Sequence, residues 1–333
     1  MRNLKIGILG ANGAVGREML RLIEEYKLPV SELRLLTGPH SVGHRVLFRG
    51  EEQRLLPTEA GSFAALDYVL GAADAAVSRR CADAIRSSGA VYIDNSSLFR
   101  LDPEVPLIVP EINGGDAFRH KGIIANPNCC TILTLMAVAG IHLLSPIRSM
   151  TVSTYQSVSG AGLAGLRELE AQLRATIEGE ELTAEVFPAP IAGNVIPCIG
   201  AITANGYTEE EMKMQWEGRR ILHQPDLCVT CTCVRVPVLR SHSIAVTVRT
   251  EDLVSPADAE KAIRAFQGCR VSDGERPYPT PLDVEDQDLV WVGRIRRDLC
   301  DPRALALWCC GDQLRKGAAA NALQILCLLE RSR

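Results

Sequence analysis

The sequence contains no block of like charges, no acidic or basic tail, no internal repeat and no low-complexity tract. Lysine and arginine number 36 against 40 aspartates and glutamates, a formal net charge of −4 at pH 7. Neither nucleic acid nor an anionic membrane is therefore expected as the main partner. Long apolar runs are also missing: the longest, around Thr131 to Leu144, contains His142 and is too short to span a bilayer. The opening MRNLKIGILGANG reads as a first strand rather than a secretory signal. Without such a signal, twelve cysteines point to reduced thiols in a cytoplasmic protein. A complete zinc-ligand set is absent too. In LCVTCTCV, strand-like alternation places Cys231 and Cys233 on one face and Cys228 on the other. No second Cys or His pair at matching spacing completes a tetrahedral site, so no metal is expected.

What is present suggests two domains: 333 residues, 47% of them hydrophobic, can bury two ordinary cores. The first half alternates strands and helices as a doubly wound sheet requires. Strands are expected at LKIGILG, ELRLLTG, YVLGAA, AVYIDNSS and LIVPEI, with helices at Val15–Tyr26 and CADAIRSSG. After the Asn126-Pro127-Asn128 turn the character changes. A helix from Cys129 leads into the strand SMTVSTYQSV and the turn SGAG, followed by a helix with Leu163, Leu166, Leu169 and Leu173 on one face. GYTEEEMKMQWEGRRIL is a helix opened by a Thr208–Glu211 capping box. CVTCTCVRVPV and SIAVTVRTE alternate as strands, so Thr151 to about Leu307 reads as an antiparallel sheet with helices against it. A last helix, Ala318 to Leu329, is free to return to the first domain.

Four stretches carry chemistry. Gly10, Gly13 and Gly16 lie between a strand and a helix, where glycines permit a tight turn and let backbone N–H groups approach a pyrophosphate. The second strand ends in LLTGPHSVGHR without the acidic residue that holds a ribose 2′-hydroxyl. Thr37, His40, Ser41 and Arg45 could instead accept a 2′-phosphate, which leans toward NADP. In ANPNCCTI, Asn128 is a good N-cap and Cys129 would take the first helical position, where the helix dipole favours thiolate. The alternative is that Cys129 and Cys130 merely start a buried helix. In CVRVPVLRSHSIAV, Arg235 suits a carboxylate and His242 a proton, although a histidine there could equally be a surface-turn residue. Arg100 follows IDNSSLF at a strand end, where open sheets bind ligands. Glu210 and Lys213 share a helix face and could be no more than a solvated pair.

Taken together, GANGAVG, IDNSSLFR, NPNC, YQSVSGAG, FPAPIAGNVIP, GYTEEEMK, RVPVLRSHS and LRKGAAANA occur in the order of the aspartate-semialdehyde dehydrogenase family, which the chain resembles along nearly its whole length. The resemblance implies an α/β fold: an N-terminal Rossmann-like doubly wound domain, residues 1–127, completed by the C-terminal helix 313–333. An α+β catalytic and dimerisation domain with a mixed or antiparallel sheet, 128–312, would follow. It implies reversible, NADP-dependent and phosphate-dependent interconversion of β-aspartyl phosphate and L-aspartate 4-semialdehyde, in biosynthesis of lysine through diaminopimelate, threonine, methionine and isoleucine. Cys129 would be the nucleophile, Gln156 the group orienting the acyl, and His242 the acid–base. Arg235 would hold the α-carboxylate and Glu210 the α-amino group. Arg100, Asn128 and Lys213 would surround the phosphate. Gly10, Asn12, Gly13, Ala14, Val15, Gly16, Ser41, Ser159, Gly160 and Gln313 would hold the cofactor in a cytoplasmic homodimer. Cys130 takes the place of a small hydroxyl residue and would be structural. Departures from the family pattern are His40 for arginine, Asp74 in a usually Ser-Ala-Gly-Gly stretch, Gly193 for an aromatic and Gln313 for asparagine. The alternatives are an N-acetyl-γ-glutamyl-phosphate reductase-like enzyme and a non-catalytic paralogue acting as a binding or scaffold subunit.

Overall fold

In the computed structural model, which describes residues 2–332, the chain separates into two compact units. One comprises the residues up to Asn128 and from Ala318 onward, the other Cys129–Gly317. The chain thus returns to the first unit at Ala318 rather than at the expected 313. The reason is local: Asp312 and Gln313 are bound by Arg240 and Ser241 of the second unit.

The first unit is built on β1 (Leu4–Leu9), α1 (Ala14–Glu25) and β2 (Val30–Thr37). A hairpin of β3 (Arg45–Phe48) and β4 (Glu51–Arg54) and the short β5 (Leu56–Pro57) follow. Then come β6 (Tyr68–Gly71), α2 (Ala75–Ser87), β7 (Val91–Asp94), α3 (Pro110–Asn113) and β8 (Ile123–Ala125). The six-stranded sheet runs β5-β2-β1-β6-β7-β8, with every pairing parallel. Its inner strands are near-continuous apolar runs because both faces are covered. On α1, Met19, Leu22 and Ile23 face this core at helical spacing.

LIVPEI is not a strand. Pro110 lacks the N–H a ladder needs and suits the first turn of a helix, so α3 starts there and Leu107 keeps only an isolated bridge to Ala125. The edge of the sheet is Ile123–Ala125 instead. The C-terminal helix, Ala320–Arg331, packs Leu323, Ile325 and Leu326 into the same core and begins two residues later than expected, after a π-turn at Arg315–Ala319.

The second unit opens with α4 (Cys129–Leu144), β9 (Ile147–Gln156), α5 (Gly162–Glu178) and α6 (Glu209–Ile221). It continues with β10 (Cys228–Arg235), β11 (His242–Thr250), α7 (Pro256–Ala265), β12 (Cys269–Val271), α8 (Pro281–Val284), β13 (Val290–Arg297) and β14 (Ala304–Gly311). The sheet order is β10-β9-β11-β14-β13-β12. It is mixed rather than wholly antiparallel, since β10–β9 and β12–β13 are parallel pairs. The long crossover through α5 and α6 is what a parallel return requires.

The capping box of α6 is present, with Glu211 N–H donating to Thr208 Oγ1 and Thr208 N–H to Glu211 Oε2. On α5 the expected leucine face is only partly buried: Leu169 is enclosed, but Leu173 is exposed. Gln172 is buried in its place, accepting from Ile191 and Ala192 N–H and donating to the Thr183 carbonyl. A polar side chain inside that face holds the proline-rich loop, a demand that hydrophobic periodicity does not register.

Candidate active site

The glycine loop of the first unit is formed by close backbone approach. Gly10 has φ +87°, and a Cβ added to it would lie 2.7 Å from the Ala72 carbonyl oxygen. A Cβ on Gly16 would lie 2.4 Å from the Gly10 carbonyl. The N-cap of α1, Gly13, offers no side-chain cap, so Ala14, Val15 and Gly16 open the helix with backbone donors of the kind that bind an anion. Asn12 connects this loop to the end of β2: its Oδ1 accepts from Thr37 Oγ1 at 2.8 Å and its Nδ2 donates to Ser41 Oγ at 3.1 Å. A cleft of about 730 Å³ is lined by Gly10, Asn12, Gly13, Thr37, Gly38 and Asp74. Its size and donors fit a dinucleotide. In the same unit Arg100 is buried, donating from Nε to the Asn126 carbonyl and from Nη2 to the Asn95 carbonyl. It braces the turn that carries Asn128.

The second unit gathers its site from strand ends. Parallel pairing sets Arg235, at the end of β10, beside Gln156, at the end of β9. Antiparallel pairing of β9 with β11 brings His242 to the same margin, and β14 ends opposite it at Gly311. Cys129 opens α4, and a Cβ on Gly317 would be 3.0 Å from Cys129 Cβ. The sulfurs of Cys129 and Cys130 and a ring nitrogen of His242 lie within 4.8 Å of one another. His242 is fully buried, and its Nδ1 accepts from the Ser157 N–H at 3.1 Å. Its Nε2 has no nitrogen or oxygen partner among the described residues.

The two thiols separate chemically. The neighbouring Cys130 S–H, and then the adjacent His242 ring, hold the Cys129 thiol well below the ordinary range, against burial, which pulls it up. Burial, reinforced by Cys129, pushes the Cys130 thiol well up. Cys129 is thus the thiolate of the pair, and Cys130 contributes as its hydrogen-bond donor rather than as packing alone.

Arg235 is buried, donates from Nη1 to the Ser157 carbonyl at 2.7 Å and faces the Phe187 ring at 5.7 Å. Gly160 makes room for it, since a Cβ there would be 2.7 Å from Nη1. Glu210 accepts from Gln156 Nε2 at 3.3 Å and from Lys213 Nζ at 2.8 Å. Its side chain is only 10% exposed, so the pair is not a solvated one. Ser157, which no local pattern singles out, binds both His242 and Arg235. Its one sequence signal is its position directly after Gln156 at a strand end.

Comparison with known proteins agrees with this arrangement. Residues 5–120 match the family model "Semialdehyde dehydrogenase, NAD binding domain" and residues 138–316 match "Semialdehyde dehydrogenase, dimerisation domain". The chain is 48% identical to the aspartate-semialdehyde dehydrogenase of Synechocystis sp. over 328 residues, covering 98% of this chain and 97% of that one. The chain belongs to the aspartate-semialdehyde dehydrogenase family. The Bacillus subtilis member is 39% identical, with 97% and 96% of the two chains covered. The crystal structure of aspartate semialdehyde dehydrogenase II from Vibrio cholerae, complexed with ASA, superposes with a TM-score of 0.95 at 38% identity, covering 99% of each chain.

The departures from the family pattern have local explanations. Asp74 is the N-cap of α2, accepting from Val77 N–H at 2.9 Å, so its carboxylate satisfies a helix terminus as well as lining the dinucleotide cleft. Arg45 is engaged by Glu52 across the hairpin, and His40 is exposed on a short turn at Pro39–Ser41. Gly193 occupies a turn at φ +68°, closed by Asn194 N–H to the Ile191 carbonyl. Gln313 accepts from Ser241 N–H at 2.7 Å and donates to Ser159 Oγ. Cys231 and Cys233 are buried with sulfurs 3.7 Å apart, while Cys228 is exposed.

Proposed function

We infer that the chain interconverts β-aspartyl phosphate and L-aspartate 4-semialdehyde, reversibly and with phosphate, through a thioester on Cys129. The observation that carries this reading is the Cys129–Cys130–His242 cluster at the start of α4, with Arg235 at the end of β10 and Glu210 on α6. The Cys129 thiolate attacks the acyl carbon, the carbon–oxygen bond to phosphate breaks, and phosphate leaves with the electron pair. Arg235 binds the α-carboxylate as a bidentate partner, and Glu210 receives the α-ammonium. Gln156 fixes the acyl group, and Arg100, Asn128 and Lys213 read the phosphate. His242 presents a proton at Nε2 to the oxygen that becomes anionic when the acyl carbon turns tetrahedral. A reduced nicotinamide, whose dinucleotide the Gly10–Gly16 loop would hold, would supply the hydride that takes the thioester to the aldehyde level. Collapse of the tetrahedral carbon then returns the thiolate to Cys129.

The cofactor is a nicotinamide dinucleotide, and we assign NADP. The turn directly after β2, Gly38 to Arg45, carries no carboxylate, and Thr37, Ser41 and Asn12 form a hydroxyl and amide set beside the cleft. Ser159, Gly160 and Gln313 belong to the second unit and are read as its contacts to the nicotinamide side. The enzyme works as a homodimer through its dimerisation domain. Helices α4, α6 and α7 lie against one side of the mixed sheet, and the other side displays Thr151, Tyr155 and Trp308, with the two aromatic rings 5.5 Å apart. We assign that face to the partner subunit. The twelve free thiols fit a cytoplasmic enzyme.

The test is absorbance of reduced nicotinamide with purified protein, aspartate 4-semialdehyde, phosphate and NADP or NAD in parallel. A rise that needs phosphate and is faster with NADP is expected. A signal only with the N-acetyl-γ-glutamyl substrate would replace this reading.

A further inference from the structure

A string of buried hydrogen bonds leads away from the nucleophile, and its direction can be deduced from its two ends. At one end the Ser241 N–H, which can only donate, binds Gln313 Oε1 at 2.7 Å. That leaves the Gln313 Nε2–H to donate to Ser159 Oγ. The Ser159 hydroxyl lies 3.0 Å from Ser157 Oγ, and Ser157 Oγ lies 3.1 Å from His242 Nδ1. Ser159 accepts from Gln313 and keeps its own proton for Ser157, whose proton is then available to His242 Nδ1. At the other end the Ser157 N–H, again an obligatory donor, meets the same Nδ1 at 3.1 Å. Gln313 and Ser159 are each 2% exposed, and Ser157 and His242 are fully enclosed. Water therefore does not randomise the sense of the string.

We propose that Gln313, acting through Ser159 and Ser157, is a positioning residue that holds His242 as the Nε2–H tautomer, with its proton directed at Cys129. Two backbone donors and one amide fix the polarity, and each hydroxyl transmits it. A proton on Nδ1 would face the Ser157 N–H directly. It would also turn the Ser157 hydroxyl back onto Ser159, whose oxygen already accepts from the Gln313 amide, and leave the Ser159 proton without Ser157. The tautomer bears on metal binding as well. A metal ion on Cys129, Cys130 and His242 would need the Nε2 lone pair and hence a proton on Nδ1. The cluster has the spacing of a cation site, but its histidine is held in the wrong form.

The experiment is a long-range ¹H–¹⁵N spectrum of the full chain with ¹⁵N-labelled histidine. The His242 signals are assigned as those lost in His242→Gln among the 6 histidines. The expected result is an unprotonated Nδ1 and a protonated Nε2 in the resting enzyme. Gln313→Glu removes the amide donor and reverses the string, so Nδ1 should move toward the protonated position. Ser159→Ala interrupts the string without adding charge. It should shift Nδ1 less and lower kcat by roughly 5- to 10-fold with a smaller change in KM, and it serves alone if Gln313→Glu does not fold. A protonated Nδ1 in the unaltered chain, or signals unmoved in both variants, overturns the proposal. The tautomer is read without substrate or cofactor, so this outcome is separate from whether the assigned reaction occurs.

Discussion

The two units build their sites by opposite means. The dinucleotide cleft is centred on a contiguous stretch, Gly10 to Gly16, that contributes mostly backbone groups, with the ends of β2 and β6 beside it. The candidate catalytic site collects side chains from Cys129, Gln156, Glu210, Arg235, His242 and Gln313, which only the mixed sheet and the helices packed on it bring together. A site made of backbone depends on the absence of side chains and tolerates changes that leave the turn intact. A site made of strand ends depends on register, because a one-residue slip would turn each functional side chain to the other face.

The largest effect should come from the nucleophile. Cys129→Ala is expected to lower turnover by at least about 10³-fold, whereas Cys130→Ser, which keeps a hydrogen-bond donor, should stay within about fivefold. Steady-state rates at saturating substrate check this, and equal losses in both variants would remove the distinction between the two thiols. Next, Gly16→Ala should weaken dinucleotide binding by roughly 10²-fold, because the new methyl meets the Gly10 carbonyl. Calorimetric titration measures it, while the rate of Cys129 alkylation in the same variant should hardly change. If both fall together, the two sites are not built independently. Arg235→Lys should raise KM by roughly 10- to 100-fold through loss of the bidentate fork, with kcat less affected.

Acidity gives a subtler comparison. A lowered thiol pKa means that the thiolate persists as pH falls, so Cys129 should be alkylated by iodoacetamide at pH 6.5 at a rate close to that at pH 8.5. A free thiol with a pKa near 8.5 loses most of its rate over that interval. Cys310, pushed up to about 12 by burial, should stay unlabelled throughout. Mass spectrometry of the labelled peptides reads both. The smallest effect expected is at Asp74. Asp74→Ala should cost about 1 kcal/mol for a lost N-cap, and Asp74→Ser much less, by denaturant unfolding.

The same contrast explains what could be read from the sequence. The parallel sheet, α1 and the glycine turn follow from short-range patterns: apolar runs, helical spacing at Met19, Leu22 and Ile23, and glycines between a strand and a helix. Cys129 was legible because Asn128 and the helix that follows it are local. The pairing of β10 with β9 was not, because the register of two strands separated by α5 and α6 is a long-range property. Ser157 was missed for a related reason: its importance lies in a carbonyl, an N–H and a hydroxyl serving three different partners, and a serine after a strand has no local mark of that. LIVPEI misled because apolar runs suit strands, and only Pro110 argued otherwise.

The capping box of α6 has a further consequence for selectivity. Glu211 does not only close the helix terminus: its Oε1 accepts from the Cys233 N–H, two residues before Arg235. The helix that carries Glu210 is thereby fastened to the strand that carries Arg235, so on the roles proposed above both ends of the amino-acid group would be read from one frame. Measured from that frame, Cys129 stands at one length of carbon chain. The site acts as a ruler, and a glutamyl homologue, one methylene longer, should lose roughly 10- to 200-fold in kcat/KM. Loosening the frame with Glu211→Gln should shrink that ratio while leaving every group that touches the substrate in place.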